Sequence, residues 1–126
     1  MRQLFLITVL LFPANPASAG PEHAGFFGVW GTHKQCSREP IKPGGTKLAQ
    51  PYEVSERWLK HGSVWCSLNW GPVEKRKDGA FTAAHARCGE DSLRDYFLGM
   101  ELSGNSLRLR WGFPRLSEPM MLCSKQ

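Results

Sequence analysis

No apolar run in this sequence is long enough to cross a bilayer as a helix, which takes about 20 residues. The longest uncharged one, residues 4–12, is half that length and carries Arg2 in front of it. Also missing are the nucleophile elbow G-x-S-x-G, the zinc-protease helix H-E-x-x-H, and a glycine-rich phosphate loop between a strand and a helix. No cysteine pair has C-x-x-C spacing, so the usual tetrahedral metal site is not written in the chain. Internal repeats, low-complexity tracts and a polar linker are lacking too, and one domain follows. Runs of one charge are limited to Lys75-Arg76-Lys77, beside the turn-forming Asp78-Gly79. That run reads as a solvated loop and not as a nucleic-acid patch.

What is present begins with an export signal. Met1-Arg2 is a minimal positive start, residues 4–12 are the apolar stretch, Pro13 and Pro16 break any helix, and Ala17-Ser18-Ala19 offers the small residues of a cleavage motif. Cleavage is expected after Ala19, leaving residues 20–126 as the mature, periplasmic or extracellular protein. Its removal takes away one charged residue, Arg2, and lowers the formal charge from +5 to +4. No cysteine stands at the cleavage point to take a lipid, and no later segment is apolar enough to span. The mature protein is expected to be soluble, with no stable membrane insertion and no nucleic-acid partner.

Cys36, Cys66, Cys88 and Cys123 all fall in the mature part. An even count in an exported chain of this size predicts two disulfides, in any of three pairings. The strand pattern favours one of them. Tyr96, Leu98, Met100 and Leu102 alternate with Phe97, Gly99 and Glu101, and Leu107, Leu109 and Trp111 alternate with Arg108 and Arg110, the period of half-buried strands. Gly104-Asn105 between them is a two-residue hairpin turn. With Ser103 opposite Ser106, Leu102 meets Leu107, Met100 meets Leu109 and Leu98 meets Trp111. The other face then sets Glu101 against Arg108 and Gly99 against Arg110. A slip of one residue would put apolar side chains against arginines.

Residues 63–70 and 80–88 predict a second hairpin, flanked by Gly71-Pro72 and Asp78-Gly79 as turns. If Cys66 faces Cys88, Leu68 faces Ala86 and Trp70 faces Ala84, large against small on one core face. Residues 80–86 could instead start a helix, given their alanines. An N-terminal strand is expected over residues 26–32, a Pro/Gly/Lys-rich loop over 37–51, and a last strand over 120–123. Residues 52–59 suit a strand or a short helix equally. Short strands with turns about every ten residues predict an all-β fold, a small antiparallel barrel or sandwich of six to eight strands. Pairing the first strand with the last would close a barrel, and Cys36–Cys123 would lock its seam beside Cys66–Cys88. In the loop-entropy picture the short cross-link is worth roughly 3 kcal/mol and the long one roughly 4.5, without adding.

Chemistry-bearing residues are scattered. Gly44-Gly45-Thr46-Lys47 has the residue types of a phosphate loop but not its spacing or its preceding strand, and reads as a turn. Glu90, Asp91 and Asp95 are the only acidic cluster; paired carboxylates can cleave glycosides, yet a polar stretch just after Cys88 reads as a solvated loop. His23, His33, His61 and His85 would bind metal only if the fold gathered them. No catalytic group, metal or cofactor is therefore expected. The five tryptophans are the notable surplus. Alternation turns Trp70 and Trp111 to the core, with Trp30 beside them, and leaves Trp65 on the outer face and Trp58 unassigned. Exposed aromatics mark binding patches, so Trp58 and Trp65 are the candidate binding pair.

Gly28-Val29-Trp30 at the head of the first strand resembles the G-x-W motif of lipocalin-like barrels. That group includes streptavidin-like proteins and small periplasmic inhibitors of bacterial metalloproteases. The resemblance implies that Trp30 plugs the closed end with Arg108 or Arg110 packed across it. By likeness to the inhibitors, an N-terminal segment, here Gly20-Pro21-Glu22-His23-Ala24, would enter a protease cleft. The chain also resembles four-cysteine exported bacterial proteins with G-x-W near the start and Cys near the end, a group with no known activity. The expectation is a non-enzymatic exported barrel that binds another exported protein or a small apolar ligand. The alternative is a structural or stress-related envelope protein without a ligand site.

Overall fold

The hairpin arithmetic is realised pair by pair in the computed structural model, which describes residues 19–89, 93–112 and 115–124. Residues 1–18, the expected signal peptide up to Ser18, and the acids Glu90 and Asp91 lie outside the described residues. Strand β6 (Arg94–Ser103) pairs with β7 (Ser106–Trp111) in the register that sets Leu98 against Trp111, Met100 against Leu109 and Leu102 against Leu107. Likewise β4 (Val64–Arg76) pairs with β5 (Gly79–Cys88) so that Cys66, Leu68 and Trp70 oppose Cys88, Ala86 and Ala84.

The remaining strands are short: β1 (Gly28–Gly31), β2 (Tyr52–Val54), β3 (Trp58–His61), β8 (Arg115–Leu116) and β9 (Met120–Ser124). Every consecutive pair from β1 to β7 is hydrogen-bonded and antiparallel, and β9 pairs with both β7 and β1. The result is a closed eight-stranded up-and-down barrel. β8 and β9 are two pieces of one broken strand. Both lie along β7, and Pro119, which has no N–H for a ladder, sits at the break. Ser117 bridges the gap: its amide donates to the Leu109 carbonyl at 2.8 Å and its Oγ accepts from the Leu109 amide at 2.8 Å.

Both expected disulfides are present. Cys66–Cys88 links β4 to β5 inside the barrel, and Cys36–Cys123 ties the β1–β9 seam with Cα atoms 5.4 Å apart. Cys36 reaches the seam through a one-turn helix, α1 (His33–Cys36). Thr32 caps it, its Oγ1 accepting from the Gln35 amide while the Gln35 side chain accepts from the Thr32 amide. Gly28 is fixed by the same seam. Its φ is +143°, and a Cβ there would stand 2.6 Å from a Leu122 methyl.

Several local expectations give way. Gly71-Pro72 is not a turn. β4 runs through it on a bulge between Trp70 and Val73, since Pro72 cannot donate to the ladder and the extra residue absorbs the loss. Lys75 and Arg76 are accordingly strand residues, and the turn falls at Lys77-Asp78. Residues 52–59 are neither one strand nor a helix but the end-to-start of β2 and β3, turned by Ser55, whose amide donates to the Trp58 carbonyl. Phe26 precedes the first strand, closing a 3-10 turn over Pro21–Phe26. Glu101 finds its cations diagonally, Arg110 at 3.8 Å and Arg76 at 3.9 Å, and not in Arg108 directly opposite.

Inside, Val54, Leu59, Leu98, Met100, Leu107 and Leu109 are 0–1% exposed and fill the axis. An eight-stranded barrel is just wide enough for that filling. The inward alanines of β5 make room for Trp70 and Leu68 on β4, the interdigitation that close packing requires.

Candidate functional site

The outward positions of β3 and β4 carry the two tryptophans that alternation leaves off the core. Lys60 pairs with Trp65 and Trp58 with Ser67 across the ladder, so the indoles meet diagonally, an approach that long side chains bridge. Their ring centroids are 5.0 Å apart at an interplanar angle of 56°. The Lys60 ammonium lies 5.0 Å from the Trp65 centroid, a cation–π contact. Trp65 is 49% exposed although it is a bulky apolar group. The sheet thus brings together the pair singled out from composition, and adds Lys60, which alternation of residues 58–61 places beside it.

Across β5 and β6 the same face continues through side chains that the sequence did not join to the tryptophans. Ser67 opposes Arg87, Arg87 opposes Asp95, Asn69 opposes His85, and His85 opposes Phe97. Asp95 is therefore a strand residue and not part of a solvated loop, because β6 starts at Arg94. Its carboxylate lies 3.5 Å from His85 Nε2 and 3.9 Å from Arg87 Nε. The Cys66–Cys88 register already implied the Ser67–Arg87 and Asn69–His85 neighbours; only the link to β6 needed the barrel.

The N-terminal segment is elsewhere and is not a free arm. Gly20-Pro21-Glu22-His23-Ala24 winds into the 3-10 turn at the end of the barrel where β2 and β3 stop short. His23 is 3% exposed. Its Nδ1 accepts from the Gly20 amide at 2.9 Å, and its Nε2 lies 2.7 Å from the Gly71 carbonyl. A carbonyl only accepts, so Nε2 carries the proton. The ring packs on Trp70 with centroids 4.9 Å apart, and Phe27 meets the same indole edge-on. Trp70 in turn donates Nε1–H to the Glu56 carbonyl at 2.7 Å. His23 is thus the plug of this end, a role hidden in sequence because its partner carbonyl is 48 residues away.

Trp30 is buried at the same end and donates Nε1–H to the Phe26 carbonyl at 3.0 Å. Arg108 and Arg110 do not pack across it. Alternation with Leu107 and Leu109 sends them to the outer face, where Arg110 pairs with Glu101. The four histidines are far apart in role: His23 in the plug, His33 exposed on α1, His61 stacked on Tyr52 and His85 beside Asp95. Among the described residues no group of three His, Cys, Asp or Glu could hold a metal ion. The Gly44–Lys47 stretch is exposed, Gly45 donating to the Lys42 carbonyl in a plain turn.

Two clefts are formed by described residues. One of about 400 Å³ lies at the plugged end between Trp30, Leu102, Met121 and Leu122, and one of about 320 Å³ lies over Glu101, Ser103, Ser106 and Arg108. Neither enters the axis that Val54, Leu59, Leu98, Met100, Leu107 and Leu109 fill. No helix among the described residues is long and apolar enough to cross a membrane. No protein family, curated protein or solved structure matches this chain.

Proposed function

We propose that this protein is an exported, non-enzymatic barrel that binds another molecule on its outer face at Trp58 and Trp65, and not in its lumen. The observation that carries the reading is the aromatic pair itself. Two indoles in contact, one of them half exposed with the Lys60 ammonium over its ring, leave apolar area in water that a partner would bury at about 25 cal/mol per Å². Export is supported by the residues before Gly20 and by two disulfides, which persist in oxidising compartments. The non-enzymatic part is supported by the commitment of the buried polar side chains. His23 is held by Gly20 and Gly71, and Thr82 donates to the Gly71 and Pro72 carbonyls at 3.2 Å.

Cell fractionation tests the reading without knowledge of the ligand. The exported wild type is expected to sediment with envelope material, and Trp58→Ala/Trp65→Ala to shift at least fivefold toward the soluble fraction with an unchanged melting temperature. Equal retention of the two proteins would leave a structural envelope role and remove the binding one.

A further inference from the structure

Two acceptors converge on the backbone nitrogen of Gly20. Its N–H serves the first, His23 Nδ1 at 2.9 Å, whose lone pair is fixed there because Nε2 is held on the Gly71 carbonyl. The second is the Glu22 carboxylate, which folds back over Gly20. A Cβ on Gly20 would stand 2.8 Å from both Oε1 and Cδ of Glu22, and the nitrogen is bonded to the same Cα. Glu22 Oε1 is also 3.8 Å from His23 Nδ1. Among the described residues no lysine or arginine lies within ion-pair range of Glu22. An amide has one hydrogen and no charge, so it satisfies the imidazole and leaves the carboxylate unbalanced.

An ammonium has three hydrogens and a positive charge, and charge-assisted hydrogen bonds are roughly twice as strong as neutral ones. Cutting the chain after Ala19 creates an ammonium at this nitrogen. We infer that the Gly20 corner is a latch closed by signal-peptide cleavage, in which the new α-ammonium joins His23 Nδ1 to Glu22 and tightens the turn over Trp70. This rests on the proposal that the chain is exported, with the cut expected after Ala19, and it adds what the cut does to the fold. The other elements at this corner bring no titrating side chain to it among the described residues. β4 supplies the Gly71 carbonyl and the Trp70 indole, and β6 meets the turn through Leu102. Glu56 reaches Trp70 by its backbone carbonyl, and its side chain is exposed. Cleavage also removes Ala19, which is half-buried against the core. On contacts alone the cut chain should be the less stable one. The latch predicts the reverse order.

The test compares the disulfide-bonded chain starting at Gly20 with one starting at Ser18, in which Gly20 keeps its amide. At pH 7 the Gly20 form is expected to melt higher by about 2 °C or more. A paired ammonium holds its proton more tightly than a free one. Its advantage is therefore complete below ~pH 8, the ordinary α-amino value, and is lost as the pH rises beyond it, so the gap should narrow at pH 10. Tyr52 ionises in both forms and cancels from the difference. Glu22→Gln, at an exposed position, should narrow the gap at pH 7 and leave the Ser18 form unchanged. The inference is overturned by equal melting at pH 7, by a higher-melting Ser18 form, by a gap that persists in full at pH 10, or by equal effects of Glu22→Gln on both forms. N-terminal sequencing of the exported protein is the separate arm. A terminus other than Gly20 would overturn the inference together with the expected cut. A terminus at Gly20 with no gap in melting would overturn the latch and leave export standing.

Discussion

Tyr52 and His61 face each other across the β2–β3 pair and stack almost parallel, with centroids 4.0 Å apart at 10°. Burial pushes the His61 imidazole below its ordinary value, against the opposing pull of the Gln50 carbonyl 3.1 Å from Nε2. The unfolded chain therefore takes up this proton first as pH falls. The stabilisation from neutral His61 is complete above about pH 7 and is lost on acidification through the ordinary histidine range near 6.5. Burial also raises the Tyr52 phenol, so at the alkaline end the unfolded chain ionises first and stability falls above about pH 10. Thermal melts should show both shoulders. His61→Gln, which keeps a donor for the Gln50 carbonyl, should flatten the acid one, and Tyr52→Phe the alkaline one. A slope between pH 7 and 5 that His61→Gln leaves unchanged would assign it to other groups. At this scale the site was half legible. Trp58 and Trp65 stood out by composition, Trp65 also by alternation, and Arg87 and His85 were implied by the Cys66 register. Asp95 was misread, because a polar residue following a cysteine looks the same in a loop and on a solvent-facing strand.

Elements were most legible where two local signals agree. In β6 and β7 the alternation and the Gly104-Asn105 turn both demand one register, and that register is observed. Where a single residue type carried the reading, it misled: Pro72 marks a bulge as readily as a turn, and the choice depends on whether β5 is long enough to pair on both sides of it. The N-terminal turn was opaque for another reason, since its stability comes from contacts distant in sequence. His23 links it to Gly71 and Trp70, so His23→Ala removes a ring, a hydrogen bond to the part-buried Gly71 carbonyl and the acceptor for Gly20 N–H. Cleavage after Ala19 would turn that Gly20 nitrogen into an ammonium, which still donates to Nδ1. The substitution is expected to cost about 2–3 kcal/mol and to shift tryptophan emission to the red as water reaches Trp70. A loss under ~0.5 kcal/mol, the range of ordinary surface changes, would show that the turn is not docked in solution.

The whole molecule joins two unequal parts. β4, β5 and β6 are a ribbon of strands 13, 10 and 10 residues long, whereas β1, β2 and β3 have three or four each. Ladder hydrogen bonds and core contacts are therefore concentrated in the ribbon, and the closure through β1 and β9 is the thin side. Cys36–Cys123 spans 87 residues at that thin side, while Cys66–Cys88 spans 22 inside the ribbon. The longer loop restricts the unfolded chain more, by roughly 4.5 against 3 kcal/mol in the loop-entropy picture. Free energies of local opening follow contact density, so the two bonds protect different regions. In Cys36→Ser/Cys123→Ser the amides of Val29, Trp30 and Leu122 should exchange with solvent at least tenfold faster at neutral pH. Those of Leu98 and Met100 should accelerate less, because the ribbon keeps its own register. The measurement is amide exchange by NMR on the folded variant. Uniform acceleration across β1 and β6 alike would mean that the barrel opens only as a unit, and that the seam bond stabilises every strand equally.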